Sequence, residues 1–447
     1  MTNLLVEISR YLLILIMGIY TYFNFRYFGL KSWEKKERLC RKQNQAMFLL
    51  HGLAYLILLL KAPEELFGRL LAFYGMQVVF FVCYGWLYRL FYRNISRLLL
   101  NDLCMLLCVG LIMLTRLSLE KAQPLSLAYR QFALAVASAV VTWLIPLVID
   151  RVWQLSKIPW VYAGAGLVFL IAVCVLGSTS NGAKLAITIA GVAFQPSEFV
   201  KISFVFFVAA LFYRSTDLKT VGTVTAVAAA HVLVLVLSKD LGSALLFFTT
   251  YLAMVFVATS KWLYLALGIG GGCSAAVAAY YLFSHVRIRV DAWRNPWADI
   301  DNRGYQITQS LFALGTGGWF GMGLYQGMPG KIPVVEKDFI FSAISEELGA
   351  IFAVCVILIY LGCFLQFMMI AGKMQAVFYK LIAFGLGIVY IVQVFLNIGG
   401  VIKFIPSTGV TLPLISYGGS SLLSTFMMFG VIQGLYLLKR NEEEEYG

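Results

Sequence analysis

Apolar runs of roughly 18 to 22 residues recur along almost the whole chain, and short polar links between them hold most of the charge. The runs centre near residues 18, 53, 79, 107, 141, 168, 206, 229, 250, 272, 356, 388 and 430. Each is long enough to cross a bilayer as a helix, which satisfies its own backbone hydrogen bonds in lipid. The pattern predicts an all-α polytopic membrane protein with about thirteen transmembrane helices.

The basic residues orient the spans. Lys31, Lys35, Lys36, Arg38, Arg41 and Lys42 crowd one link, which the positive-inside rule makes cytoplasmic. Counting from it, Arg89/Arg93/Arg97, Arg151/Lys157, Arg214/Lys219, Lys261, Lys373/Lys380 and Lys439/Arg440 fall on the same side. The expected topology has the N-terminus outside and the acidic tail, residues 441–447, in the cytoplasm.

Composition agrees. The 447 residues are 61% hydrophobic and 13% charged, with a mean hydropathy of +0.83, values that exclude a soluble core. The net charge of +13 therefore reports topology, not nucleic acid. The first apolar stretch, Tyr11 to Tyr22, lacks a small-residue cleavage site and reads as a retained helix. Seven of the eight cysteines lie in apolar spans and Cys40 in a basic link, so no disulfide or metal framework is expected.

Three outer segments are too long for simple turns: Ser178 to Pro196, Ser284 to Asp338, and Asn397 to Ser421. A fourth interruption, Lys239-Asp240-Leu241-Gly242-Ser243, wedges a charged pair between two spans. A carboxylate at a membrane surface is costly to desolvate and marks a candidate site; the plainer reading of Asp240 is the N-cap of the next helix.

Other charged residues enter the spans. Gln195-Pro196-Ser197-Glu198 looks like a helix start, and Lys201, three residues after Glu198, needs that carboxylate or an anionic ligand as its partner. Asp338 precedes an apolar run containing Ser345-Glu346-Glu347-Leu348, whose acids need a partner or a wet cavity. The third segment, with Asn397-Ile398-Gly399-Gly400, Pro406-Ser407-Thr408-Gly409, Leu412-Pro413 and Ser416 through Ser421, breaks any helix and offers amides and hydroxyls for an anion. Asp299-Ile300-Asp301 reads as a turn, and His51 and His231 as histidines satisfied by their neighbours.

Together these stretches resemble the SEDS family (shape, elongation, division and sporulation), the RodA/FtsW/SpoVE type of cell-wall polymerase. The matching pieces are Gln195 to Glu198 with Lys201, Asp240 to Ser243, Asp338 to Phe341 through Glu346 to Gly349, and Pro406 through Ser421. The resemblance covers about three quarters of the chain, residues 98–440 with about ten spans, and leaves residues 1–97, about three spans, without a role. There are departures. Lys239 stands where the family commonly has Pro, Lys403 where Gly is usual, and Gly182-Ala183-Lys184-Leu185-Ala186 lacks the family's Arg-Trp pair.

The resemblance implies a peptidoglycan glycosyltransferase that polymerises lipid II at the outer face of the bacterial cytoplasmic membrane, serving elongation, division or sporulation. In a single inverting displacement only one proton moves, and Asp240 is the expected general base. Gln195, Glu198, Lys201, Lys184, Ser243, Asp338, Glu346, Glu347, Pro413, Ser416 and Ser420 are the expected substrate-binding residues. Positive charge for the diphosphate would come from Lys201, Lys184 and Arg287 or Arg289; a divalent cation, Mg or Mn, is the other source, although no metal ligands are assigned. A class B penicillin-binding protein, a transpeptidase, is the expected partner besides lipid II and membrane lipid. A lipid II flippase and a non-catalytic scaffold for the transpeptidase are the competing readings.

Overall fold

A computed structural model describes residues 2–92, 94–121, 123–151, 153–180, 183–189 and 192–446. Arg93 and Gly182 lie outside them. The chain is a bundle of long helices: α1 (Thr2–Gly29), α2 (Trp33–Lys61), α3 (Glu64–Phe91), α4 (Arg97–Leu119), α5 (Ser126–Thr142), α6 (Ile145–Arg151) and α7 (Pro159–Leu176). Strands β1 (Ser178–Ser180), β2 (Ala183–Ile189) and β3 (Val192–Phe194) follow. Then come α8 (Ser197–Arg214), α9 (Leu218–Leu237), α10 (Leu241–Thr259), α11 (Trp262–Leu282), α12 (Ser284–Arg294), α13 (Tyr305–Gly317), α14 (Ile340–Lys373), α15 (Val377–Val401) and α16 (Gly419–Tyr446).

Among the described residues, twelve helices are long and apolar enough to cross a membrane, with α5 and α6 together supplying one. The chain is a multi-pass membrane protein. The thirteenth expected span, near residue 206, is α8; Glu198, Lys201 and Arg214 keep it out of the apolar set, and most of its residues are buried against α7, α10 and α15. Helix α4 is buried along its whole length, because α2, α5, α14 and α16 pack around it.

The three long segments hold more structure than their composition suggested. Residues 178–194 form an antiparallel sheet in the order β1-β2-β3, with Ser178 opposite Ala186 and Ile187 opposite Phe194. Strands of three and seven residues are too short to register in a window sized for membrane helices. The second segment contains α12 and α13. In the third, α15 runs on through Val401 and α16 begins at Gly419, so the irregular stretch is residues 402–418.

One span is broken by design. Gly349 interrupts α14 with φ 89°, in the left-handed region that glycine tolerates. The carbonyls freed by the break are taken up by a neighbouring loop: Met322 N donates to Glu346 O at 2.8 Å and Gly323 N to Glu347 O at 2.9 Å. Irregular backbone at this depth persists because it is buried in protein.

Candidate functional site

Asp240 closes the turn between α9 and α10. Its Oδ1 accepts from the Ser243 backbone N–H at 3.1 Å, the N-cap bond of α10, and its Oδ2 accepts from Ser197 Oγ at 3.3 Å at the start of α8. Gln195 Nε2 donates to Ser197 Oγ at 3.2 Å, while the Gln195 amide donates to Ser420 Oγ at 3.0 Å at the start of α16. Four of the expected residues thus form one chain of hydrogen bonds through Ser197: Ser243 to Asp240, Asp240 and Gln195 to Ser197, and Gln195 to Ser420. Burial pushes the Asp240 carboxyl above the usual carboxylate range, against hydrogen bonds from Ser243 and with a smaller upward push from Glu198.

Lys201 is brought next to this group but is already occupied. Its ammonium is buried and pairs with Glu198 and with Gln393 Oε1 at 2.7 Å, and Ser424 Oγ donates to Glu198 Oε2 at 2.9 Å. Gln393 Nε2 in turn donates to the Thr411 carbonyl at 3.1 Å, tying the pair to the irregular third segment. An ion pair closed on all sides this way is a clasp between α8, α15 and α16, not a free cation for a ligand.

Beside Asp240 the turn changes hand. Lys239 has φ 62°, a conformation closed to proline, so the Pro-to-Lys departure noted in the sequence carries a different local backbone. Lys403 has φ 60°, which accounts for the usual glycine at that position. Gly242 packs so tightly on the third segment that a Cβ there would sit 2.8 Å from the Thr408 carbonyl oxygen. On the other side of that strip, a Cβ at Gly409 would lie 3.6 Å from an Arg289 Nη and 3.8 Å from Asp338 Oδ2.

Those two groups line a cavity of about 360 Å³ whose wall also includes Lys239, His285, Trp293 and Arg303. Helix α12 supplies one wall from a single face, with His285, Arg289 and Trp293 at spacings of four residues. Trp293 Nε1 donates to the Lys403 carbonyl at 3.1 Å and Arg289 Nη1 to the Ser407 carbonyl at 3.3 Å. Of the two arginines expected to supply positive charge, Arg289 lines the cavity, whereas Arg287 turns back to the Tyr281 carbonyl at 3.1 Å.

Asp338 is the acid of this cavity. Its carboxylate accepts no hydrogen bond from any described residue, and burial raises its pKa although Arg289 and Lys337 act to lower it. Its backbone is fixed by Asn397, whose Nδ2 donates to the Asp338 carbonyl at 3.0 Å and the Val410 carbonyl at 2.7 Å.

The remaining expected residues lie elsewhere. Glu347 is paired through Oε1 with Arg116 Nε at 2.8 Å, and the same guanidinium reaches Glu120 at 2.8 Å and stacks over the Tyr325 ring at 4.2 Å. Glu346 Oε1 accepts from the Met328 amide at 2.9 Å. This second cluster anchors the loop that patches the break in α14. The Pro413 carbonyl accepts from Tyr360 Oη at 2.6 Å, and Ser416 Oγ donates to the Lys337 carbonyl at 2.5 Å, so both shape the third segment from behind. Lys184 sits on β2 opposite Thr179; its side chain lies outside the described residues.

Sequence reasoning missed His285, Arg303 and Arg116. The first two sit in a segment with no apolar period, and Arg116 lies in a run that reads as pure span. Asp299 behaves as the turn it resembled, accepting from Asn302 Nδ2 at 2.9 Å.

Fold and site define a multi-pass membrane protein in which the α9–α10 turn, one face of α12, the start of α13, the segment before α14 and residues 405–409 enclose a charged cavity beside a polar helix-start cluster. The chain belongs to the FtsW/RodA/SpoVE family of cell cycle proteins, which matches residues 96–441. It is 36% identical over 298 residues to the peptidoglycan glycosyltransferase RodA of Mycobacterium tuberculosis, covering 62% of this chain and 64% of that one. It is 33% identical over 355 residues to RodA of Mycobacterium leprae (75% and 76%), and 33% identical over 341 residues to the probable peptidoglycan glycosyltransferase FtsW of Escherichia coli (71% and 80%). The chain thus spans just under two thirds of the length of the mycobacterial relatives it matches with highest identity.

Among solved structures, a chain of a peptidoglycan synthase complex that coordinates polymerization and crosslinking aligns with TM-score 0.65 at 24% identity, over 78% of this chain and 98% of that one. Thermus thermophilus rod shape determining protein RodA aligns with TM-score 0.58 at the same identity and coverage. These two likenesses concern the fold.

Proposed function

We propose that this chain is a peptidoglycan glycosyltransferase that polymerises lipid II in the bacterial cytoplasmic membrane, with the cavity opening to the outer face. The observation that carries the reading is the unpaired Asp338 carboxylate in a cavity lined by Lys239, Arg289 and Arg303. The chemistry needs one carboxylate to receive the proton of the acceptor hydroxyl, and cations where the donor diphosphate leaves. Names of relatives that are peptidoglycan glycosyltransferases support the substrate class.

This reading moves the general base. The sequence assigned it to Asp240, but both Asp240 oxygens accept hydrogen bonds that hold α8 and α10 together. Asp338 keeps its lone pairs free and faces the cavity, so we assign proton transfer to Asp338, a step typically worth ~10²–10⁴-fold. Asp240 then acts as a positioning residue for the strip from Ser407 to Val410. A flippase site belongs near the bilayer midplane, whereas Lys239 and Asp338 stand at helix ends, which favours the enzyme.

Among the described residues no three His, Cys, Asp or Glu side chains converge, so a Mg or Mn ion would be held by Asp338 together with the substrate's own diphosphate, and no step is routed through one. A class B penicillin-binding protein remains the proposed partner, supported by the likeness in fold to a chain of a peptidoglycan synthase complex.

The test is glycan synthesis from purified lipid II by the full chain with its transpeptidase, comparing the native protein with Asp338→Asn and Asp240→Asn. We expect Asp338→Asn to fold and make no polymer, and Asp240→Asn, which keeps a cap acceptor, to retain a reduced rate. Native-rate synthesis by Asp338→Asn would sink the assignment.

A further inference from the structure

We propose that Arg10 is a positioning residue for the polymerisation step: from outside the matched residues 96–441 it holds the loop that sets the tilt of the half-helix behind Asp338. The inference rests on Asp338 as the general base and adds a residue which that reading does not use.

The pattern of α1 shows where Arg10 points. Val6, Arg10, Leu13, Met17, Tyr20 and Asn24 follow one another at spacings of four and three, the period of a helix stripe that faces its partners. The other five are buried and uncharged, so a cation in that stripe needs an acceptor on the facing surface. Arg10 Nη1 finds it in the Gly321 carbonyl at 3.2 Å, while Nη2 pairs with the exposed Glu7 at 3.0 Å. Beside this bond the Tyr11 and Phe320 rings meet at 5.4 Å between centroids. One turn further on, Leu13 borders a small apolar void together with Leu324 and Leu348.

The loop that α1 grips, residues 318–328, splints the break in α14. Before the break, the Met322 and Gly323 amides donate to the carbonyls of Glu346 and Glu347. After it, the Ala350 amide donates to the Gly318 carbonyl at 2.9 Å and the Ile351 amide to the Trp319 carbonyl at 3.3 Å. Arg116 of α4 takes the Gly327 carbonyl at 3.2 Å, so α1 and α4 pin the splint at two separate carbonyls.

The half-helix from Ile340 to Leu348 ends at this break, and Asp338 stands just before its start. With the helix direction interrupted at Gly349, the splint and α13, through Ser310 Oγ and Ser342 Oγ at 2.7 Å, set the tilt of the half-helix. Asp338 lies roughly 15 Å from the break at 1.5 Å per residue, so a tilt of about 4° moves it by about 1 Å. A displacement of about 1 Å caused by a remote change can cost ~10²-fold in rate. Asn397 also holds Asp338, so losing Arg10 alone releases only part of that restraint.

The test pairs turnover with hydrogen exchange, using the full chain in nanodiscs and, for turnover, its transpeptidase. Arg10→Leu keeps the stripe apolar and removes the donor; Arg10→Lys keeps a donor; Glu7→Gln leaves the Gly321 bond in place and serves as the control. We expect Arg10→Leu to lose about fivefold to tenfold in kcat per folded molecule while KM for lipid II changes by about twofold or less. Its amides in 318–328 and 340–348 should exchange faster than native, with α16 unchanged, and Arg10→Lys should recover both readings. Native kcat in Arg10→Leu, or native exchange in 340–348, overturns the proposal, as does a loss confined to the amount of folded protein. Should Arg10→Leu not fold, Phe320→Leu, which removes the ring facing Tyr11 from the loop side, is held to the same two readings. An inactive native complex counts against the polymerase reading, and the exchange arm, which needs no substrate, then decides whether Arg10 braces the half-helix.

Discussion

Tyr20 Oη donates a hydrogen bond of 2.9 Å to Asp102 Oδ1, joining the first helix to one that lies inside the family match. Asn24 Nδ2, one turn further along α1, donates to the same oxygen at 2.7 Å. Asp102 is fully buried in α4, so without α1 its carboxyl would face lipid. The helices before residue 96 are therefore fastened to the core by polar groups that lipid cannot replace. A second clasp repeats the logic: Tyr55 Oη meets Thr115 Oγ1 at 3.0 Å, and Gln77 bridges Tyr55 to His51.

Tyr20→Phe is expected to destabilise the protein by about 1 kcal/mol, the usual scale of an interhelical hydrogen bond in a membrane. Tyr20→Phe/Asn24→Leu should cost more than the sum of the single changes, because Asp102 is then left with only the weak Cys363 thiol contact at 3.9 Å. Thermal unfolding in detergent reads both. Equal stability of native and double variant would show that the clasp holds nothing.

Arg116 offers a sharper case. Its guanidinium is buried with Glu347 and reaches Glu120 as well. Arg116→Met leaves a buried carboxylate without its cation, and breaking such a pair typically costs about 3–5 kcal/mol. Arg116→Met/Glu347→Gln removes the orphaned charge and should recover part of that loss. A double variant no more stable than Arg116→Met, measured by the same unfolding assay, would contradict the pairing.

Some of this arrangement was legible in the sequence, and the reasons differ residue by residue. The partnership of Lys201 with Glu198 could be read from their spacing of three on a helix, but its third member, Gln393, lies 192 residues away and no local rule reaches it. The cap role of Asp240 was equally legible from the helix start that follows it, and its side chain accepts from the Ser243 amide as that reading expects. The cavity was not legible, because Lys239, Arg289, Arg303 and Asp338 come from separate segments that only the fold brings together. Arg116 was hidden for another reason: a single charge inside a long apolar run barely changes its average.

Asp338 gives the pH dependence its sign. Burial raises its pKa, and a general base works only when ionised, so kcat/KM should fall on the acid side with a midpoint above the usual carboxylate range. Lys337 lowers the same pKa and does not line the cavity, so Lys337→Gln should move the acid limb to higher pH without abolishing synthesis. The stability consequence runs the other way. A carboxyl whose folded pKa is raised binds its proton more tightly in the native state, so its contribution is favourable below that pKa and is lost as pH rises through it. Asp338→Asn, uncharged at every pH, should therefore unfold at a higher temperature than the native chain at neutral pH while making no polymer. An acid limb that stays in place in Lys337→Gln would argue for another base.

Asn397 tests whether the cavity is held from outside. Its side-chain amide donates to the carbonyls of Asp338 and Val410, so one residue of α15 sets the spacing between the cavity acid and the strip that Gly242 packs against. Asn397→Ala removes both donors and leaves two part-buried carbonyls unsatisfied, at about 1–3 kcal/mol each if water does not reach them. Asn397→Asp is nearly isosteric but has no amide to donate and adds a negative charge beside Asp338. Because Asn397 does not line the cavity, a positioning role predicts that kcat falls in both variants while KM for lipid II changes less, and that Asn397→Asp also shifts the acid limb to higher pH. A purely structural role would lower the amount of folded protein and leave the pH profile of the remaining activity where it was. Single-turnover rates on folded fractions, taken across pH, separate the two outcomes, and an unmoved profile in Asn397→Asp would reject the positioning role.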